Sequence, residues 1–316
     1  MSFLSQAGAG QLKVQTSARP LSKVIADPET STETTELLRQ VPAIKAYAEK
    51  QGLNATKSYE KYVAVDGDAV VWVVTACPEF SLMPKTWKFP IVGSFSYLGW
   101  FKRERAESHA EKLRGEGWDV HVRGASAYST LGWFKDPIFS TMLGRGELAE
   151  ALLAETILHE SLHATIYVKN QSYFNESLAQ FVGETMAMEY LDENHGAADD
   201  YARWLELRKK RSEGFARAFT ELSDLYQLEV SDEEKRAEKE RILTALQVDL
   251  KLPNPLNNAA LSGARTYDSG LEAFEKLFDE SERDWAAFLA RLSGLRPDSF
   301  SRHQQAEFAV VLEDLH

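Results

Sequence analysis

The chain has 316 residues, a formal net charge of −12 and a pI near 5.2, enough for one large domain or two modest ones and too acidic to suit a nucleic-acid backbone as partner. Its hydrophobic content of 44% and charged content of 27% are those of an ordinary globular protein, and no stretch approaches the roughly 18 apolar residues of a transmembrane helix. The one cysteine, Cys77, excludes an internal disulfide, and its apolar, strand-like setting reads as a buried structural thiol.

In chain order, residues 1–10 lack the basic and long apolar regions of a signal peptide. Residues 1–20, rich in Gly, Ser, Ala and Gln, read as irregular or loosely helical. Residues 36–51 read as helical, with Leu37, Leu38, Val41, Ile44, Tyr47 and Ala48 as apolar positions. Pro42 inside that run predicts a kink or a break, and Gly52 a stop. The apolar runs 62–65 and 69–76 flank Asp66-Gly67 and predict a β-hairpin, because Asp-Gly supplies the positive φ of a tight turn. Residues 78–99, dense in aromatics, Pro and Gly, read as strand plus ordered loop. Residues 102–114 form an amphipathic helix pattern ended by Gly115 and Gly117, and 118–122 a strand in which His121 alternates with apolar neighbours as a structural histidine.

The chemistry concentrates in residues 147–178. Residues 147–168 contain neither Gly nor Pro and read as one helix, with Leu148, Leu152, Leu158, Leu162 and Ile166 at roughly helical spacing. Within it stands His159-Glu160-Ser161-Leu162-His163, an H-E-x-x-H. Residues four apart share a helix face, so the two histidines can grip one metal ion, with Glu160 beside them to take a proton from a water. A zinc site of this kind needs a third protein ligand and keeps a fourth position open. Glu176, in Asn175-Glu176-Ser177-Leu178-Ala179, opens a second apolar helix (Leu178, Phe181, Val182, Met186, Tyr190). The short loop 169–173 lets that helix fold back on the first, with small Ala179 permitting close approach. Taken alone, Glu176 is a charge favoured near a helix N-terminus; beside H-E-x-x-H it is the expected third ligand. The alternative, His195, lies in a turn-like Asp-Glu-Asn-His-Gly, and Ile166 and Lys169 exclude the metzincin pattern.

Residues 197–250 are helical and heavily charged. Leu205, Phe215, Phe219, Leu222 and Leu225 mark one buried stripe, and Ser231 with Glu234 forms a capping box for a second helix, which predicts an antiparallel pair. Residues 252–258, with two Pro and two Asn, break the helices. A mostly helical run 259–278, a helix 284–292 and a polar tail follow.

H-E-x-x-H followed by Asn-Glu-x-x-Ala resembles the gluzincin metallopeptidases. The segments at 78–87, 89–93, 127–134, 159–163, 167–169, 174–177 and 257–259 resemble, in the same order, those of the bacterial predicted aminopeptidase family. One departure is the order Glu160-Ser161-Leu162-His163, where the family carries H-E-L-x-H; it leaves the ligands intact. The resemblance implies an α+β fold in which a small antiparallel or mixed sheet with an edge strand packs on a zinc-binding helix pair, with a largely helical C-terminal half. Across one peptidase unit this gives a helical 1–60, a β-rich 61–146, the helix pair 147–195 and a helical 196–316. It implies one zinc ion held by His159, His163 and Glu176, and a peptide or protein substrate. Glu160 is the implied general base, Tyr267 the first candidate to stabilise an oxyanion and Tyr128 the second. The segment 125–134, including Ser129 and Thr130, is implied to bind an extended peptide by strand addition, and Asn257 and Asn258 to line the cleft. Glu155 and Glu184 are candidates to orient the histidines. The run Ala187-Met188-Glu189-Tyr190 superficially matches an aminopeptidase amine-binding motif, but it lies downstream of the metal helix and reads as coincidence. Relatives commonly start with a lipoprotein or membrane anchor, so the resemblance points to the bacterial envelope, while the N-terminus fits either a cytoplasmic protein or one whose targeting segment has been removed. The competing functions are an endopeptidase, a non-catalytic zinc-containing binding or scaffold protein, and a metal-free helical protein with an accidental motif.

Overall fold

The computed structural model describes residues 3–54, 58–89, 93–128, 135–194, 197–268, 270–313 and 315. The first half holds α1 (Phe3–Ser17), β1 (Arg19–Pro20), α2 (Leu21–Ile25), α3 (Thr32–Lys50), β2 (Lys61–Val63), β3 (Val71–Pro78), β4 (Trp87–Phe89), β5 (Gly93–Phe95), β6 (Leu98–Trp100), α4 (Arg103–Gly115), β7 (Trp118–Ala125) and β8 (Ile138–Phe139). The second half is helical among the described residues: α5 (Ala149–Thr165), α6 (Ser172–Glu193), α7 (Ala198–Gln227), α8 (Asp232–Asp249), α9 (Asn258–Asp268), α10 (Leu271–Glu280), α11 (Trp285–Leu292) and α12 (Ala309–Glu313). The fold is α+β with small sheets of two or three strands.

Two compact units interleave along the chain. The first takes residues 1–71, 124–203 and 270–316, the second residues 72–123 and 204–269. In the first unit α5 lies between α3 and α6. Its buried residues, among them Ala151, Leu153, Ala154, Ile157, Leu158, Ser161 and Leu162, run nearly all round the helix, as an interior helix requires. A small sheet of order β1-β2-β8 completes the element set, β1 antiparallel and β8 parallel to β2. Around α6 stands a cluster of aromatic rings. Phe174 meets Phe274, Phe300 and Phe308 edge to face, and Phe181 packs against Phe274, Phe278, Phe288 and Trp285. Each such ring buries on the order of 150–250 Å², which makes this cluster the main apolar anchor of α6.

In the second unit, β6-β3-β7 form one sheet and β4-β5 a two-stranded antiparallel ladder. Val74, Ala76 and Val120 from the sheet pack on Ala106, Ala110 and Leu113 of α4. Leu222, Leu225, Ile242, Leu243 and Leu246 form the seam between α7 and α8, joined by Phe215 and Phe219 as expected. The capping box is present: Glu234 N–H donates to Ser231 Oγ (3.2 Å) and Ser231 N–H to Glu234 Oε2 (2.9 Å). Cys77 is buried, and burial pushes its thiol up to about 12, an inert structural cysteine.

Two expectations are corrected. The hairpin around Asp66-Gly67 does not form: β2 pairs with β1 and β8, β3 with β6, and the two strands belong to different sheets. Gly67 does turn the chain at φ +106°, but a turn signal does not choose the partner of the strand that follows it. Of the two readings of the N-terminal stretch, irregular or loosely helical, residues 3–17 take the helical one. Pro42 neither breaks nor splits α3; it stands on the exposed face, where the carbonyl left without its N–H donor can be solvated.

Candidate metal centre

The site is built from two consecutive helices and the turn between them. On α5, His159 and His163 stand one turn apart and their Nε2 atoms come within 3.2 Å. The chain leaves α5 at Ile166, turns through residues 166–171 and enters α6 at Ser172, with Glu176 four residues further on. Glu176 Oε2 lies 3.6 Å from each of the two Nε2 atoms. Asn175 sets this turn from inside: its Oδ1 accepts from Val168 N–H and its Nδ2 donates to Val168 C=O, both at 2.8 Å and both buried. Asn175→Ala leaves the buried Val168 N–H without its partner, while Val168 C=O still accepts from Gln171 N–H, and is expected to destabilise the protein by about 1–3 kcal/mol, read by denaturant unfolding.

Close approach of the two helices rests on Gly183. A Cβ there would stand 3.1 Å from Glu155 O, 3.2 Å from His159 Cβ and 3.4 Å from His159 N. Ala179, singled out in the sequence for this role, is fully buried on the same helix. Gly183 is the residue sequence reasoning missed, although a glycine inside an apolar helix is a signal of a packing role.

The donor set fits a tetrahedral ion. Four ligands with arms of roughly 2.0–2.1 Å are spaced about 3.3 Å apart, and the three donor atoms here lie 3.2, 3.6 and 3.6 Å from one another. Two imidazoles and one carboxylate are borderline-soft and hard donors that suit zinc. Among the described residues this is the one His/Cys/Asp/Glu cluster with metal-ligand spacing. Burial alone would raise the Glu176 carboxyl, but the charge of His163 and hydrogen bonds from both rings outweigh it and hold Glu176 well below the usual carboxylate range. Burial would likewise lower His163, yet Glu176 and then Glu160 raise it above its ordinary value.

Among the described residues, Glu160 presents a buried Oε2 without a hydrogen-bond partner, and His163 Nδ1 is likewise unpartnered. A buried polar atom left unpaired costs about 1–3 kcal/mol, so in a native protein it asks for an explanation. Two tyrosines sense the site's carboxylates. Tyr59 is buried, with φ +65° and a phenol pushed far up by burial and by Glu160. Tyr167 is pushed up to about 12 by burial and Glu176. Both therefore stay protonated donors at neutral pH. Neither tyrosine was singled out in the sequence: Tyr167 lies only four residues after His163, whereas Tyr59, a hundred positions upstream, carried no local signal.

The other predicted residues are placed as follows. Tyr128 donates its hydroxyl to Gln11 Oε1 on α1 and stacks on Phe139. Tyr267 belongs to α9, with its side chain outside the described residues, as are Ser129, Thr130, His195 and most of the proposed peptide-binding segment. In the second unit Asn258 is fully buried; its Nδ2 donates to the carbonyls of Pro78, Glu79 and Ser81 while its Oδ1 accepts from Tyr226. Asn257 donates to Val120 O and caps Ala260 N–H at the start of α9. Both amides thus serve to fix loops. Glu155 accepts from Gln180 and from the buried Tyr201, and Glu184 from Gln180, which ties the two carboxylates together beside the α5–α6 contact. Glu189 accepts from Tyr47 and Trp285, a structural use that agrees with reading its motif as coincidence.

A helix pair bearing two histidines, a carboxylate and an adjacent unpartnered glutamate defines a candidate hydrolytic metal centre. The chain belongs to the family described as "Putative aminopeptidase", whose model matches residues 2–306. No curated protein and no solved structure matches the chain.

Proposed function

We propose that this protein is a zinc-dependent peptidase, with His159, His163 and Glu176 as ligands and Glu160 as general base. The family supports the peptidase class. The observation that carries the metal reading is the coincidence of three donors at tetrahedral spacing with a buried carboxylate oxygen, Glu160 Oε2, that no group among the described residues satisfies. A bound zinc ion supplies a Lewis acid that polarises a carbonyl and acidifies a water. Glu160 takes the proton of the attacking water at Oε2 and hands it to the leaving amine. The low-dielectric surroundings of α5 and α6 strengthen that transfer, because water competes less for the carboxylate. A protonated phenol close to the site can donate to the developing oxyanion. Tyr59 and Tyr167 sense the site's carboxylates, Tyr128 already donates to Gln11, and Tyr267 remains the candidate by resemblance. Removal of the amino-terminal residue, rather than internal cleavage, follows from the family's description.

The test is zinc content by elemental analysis of wild type and Glu176→Ala purified side by side. About one zinc per chain in wild type and much less in the variant is the expected result. Wild type without zinc after careful handling would remove the metallopeptidase reading; zinc with no turnover on any peptide library would favour a scaffold.

A further inference from the structure

Four hydrogen bonds tie the turn that delivers Glu176 to a segment 130 residues downstream. Gln171 Nε2 donates to Arg302 O (2.7 Å) and Gln171 Oε1 accepts from Gln305 N–H (3.0 Å). Ser172 N–H, the first donor of α6, finds its acceptor in Gln304 Oε1 (2.9 Å). Gln304 N–H in turn donates to Asn170 O (2.8 Å). Gln171, Ser172, Gln304 and Gln305 are all buried. Asn170 and Gln304 both sit in the left-handed region, at φ +65° and +52°, a conformation that non-glycine residues keep only where their surroundings enforce it.

The segment is also held by rings at its two ends. Phe300 and Phe308 flank it, and both meet Phe174, two residues before Glu176, at centroid distances of 5.3 and 5.5 Å. Gln171 at the head of α6 carries no side-chain cap of its own. The downstream segment supplies from outside what α6 lacks, while Asn175 braces the turn from inside.

We propose that residues 302–305 are a positioning strap for the metal centre, acting through Gln304 and Gln171 to fix the first turn of α6 and hence Glu176, which directly follows that turn. The proposal rests on the metal reading above. Its physical basis is tolerance: a ligand set works only within about 0.5 Å of its geometry, and a turn with two left-handed residues at its contact has no reason to hold that tolerance unaided. A fully satisfied buried polar network specifies one arrangement where apolar packing alone allows several.

The experiment measures zinc affinity, by competition with a chromophoric chelator, and melting temperature on the full chain. The variants are Gln304→Ala, Gln304→Glu, Gln171→Ala and, as a control, the core truncation Val24→Ala on α2. Gln304→Ala and Gln171→Ala are expected to bind zinc at least tenfold more weakly. Gln304→Glu, which keeps an acceptor for Ser172 N–H, is expected to stay within about threefold of wild type. Val24→Ala is expected to lower the melting temperature and leave affinity unchanged. Unchanged affinity in Gln304→Ala and Gln171→Ala, or a loss in Val24→Ala in proportion to its stability, would overturn the strap while the metal reading stands. Wild type that binds no zinc would overturn the metal reading and the strap with it.

Discussion

Replacing Glu160 by glutamine is expected to leave zinc bound and to lower peptide hydrolysis by about 10²–10⁴-fold, the usual contribution of a general base. The substitution keeps shape and volume and removes only the ability to accept a proton. His159, His163 and Glu176 meet one another without help from Glu160, so the ligand set should survive. Glu160 Oε2 is buried and has no hydrogen-bond partner among the described residues, which is a cost to folding that a purely structural site would have no use for. The variant should therefore melt no lower than wild type, and the combination of retained zinc, retained stability and lost turnover is the signature of a base. Hydrolysis at wild-type rate by Glu160→Gln would sink the mechanism.

The second large effect is at Gly183. Gly183→Ala sets two terms against each other: the helix gains about 1 kcal/mol of propensity, while the new methyl presses on the backbone of Glu155 and on His159 at 3.1–3.4 Å. Valine tips the balance, because a β-branched side chain cannot rotate both methyls away from α5. Gly183→Val is expected to cost about 2–4 kcal/mol through overpacking and to weaken zinc binding at least tenfold, since two ligands ride on α5 and one on α6. The two readouts are denaturant unfolding and chelator competition. A Gly183→Val protein with wild-type stability and zinc affinity would show that the helices can separate without cost and would refute the packing role.

Much of the site was legible because its determinants are local. H-E-x-x-H places two histidines and a glutamate on one helix turn by helical geometry alone, and a short loop, read at 169–173 and found at 166–171, lets α6 fold back on α5. Asn175 was visible as a motif letter, but its work, closing the turn on Val168, appeared only with the fold. The failed hairpin shows the opposite case. Gly67 makes the turn that the sequence announces, yet strand pairing is a contest among distant segments, and β1, β6 and β8 won it.

The amino-acid sequence by itself determined the helical half, the α5–α6 pair with its candidate ligands, the capped start of α8, and the acidic character of the chain, because each follows from residues within a few positions of one another or from a simple sum. The tertiary structure alone decided how the two units interleave, which sheet each strand joins, that Tyr59 comes to sense Glu160, and that residues 302–305 close over the head of α6. Those depend on contacts between segments distant in the chain, where the free energy is set by which buried donors and rings can be satisfied together, a property no local pattern encodes.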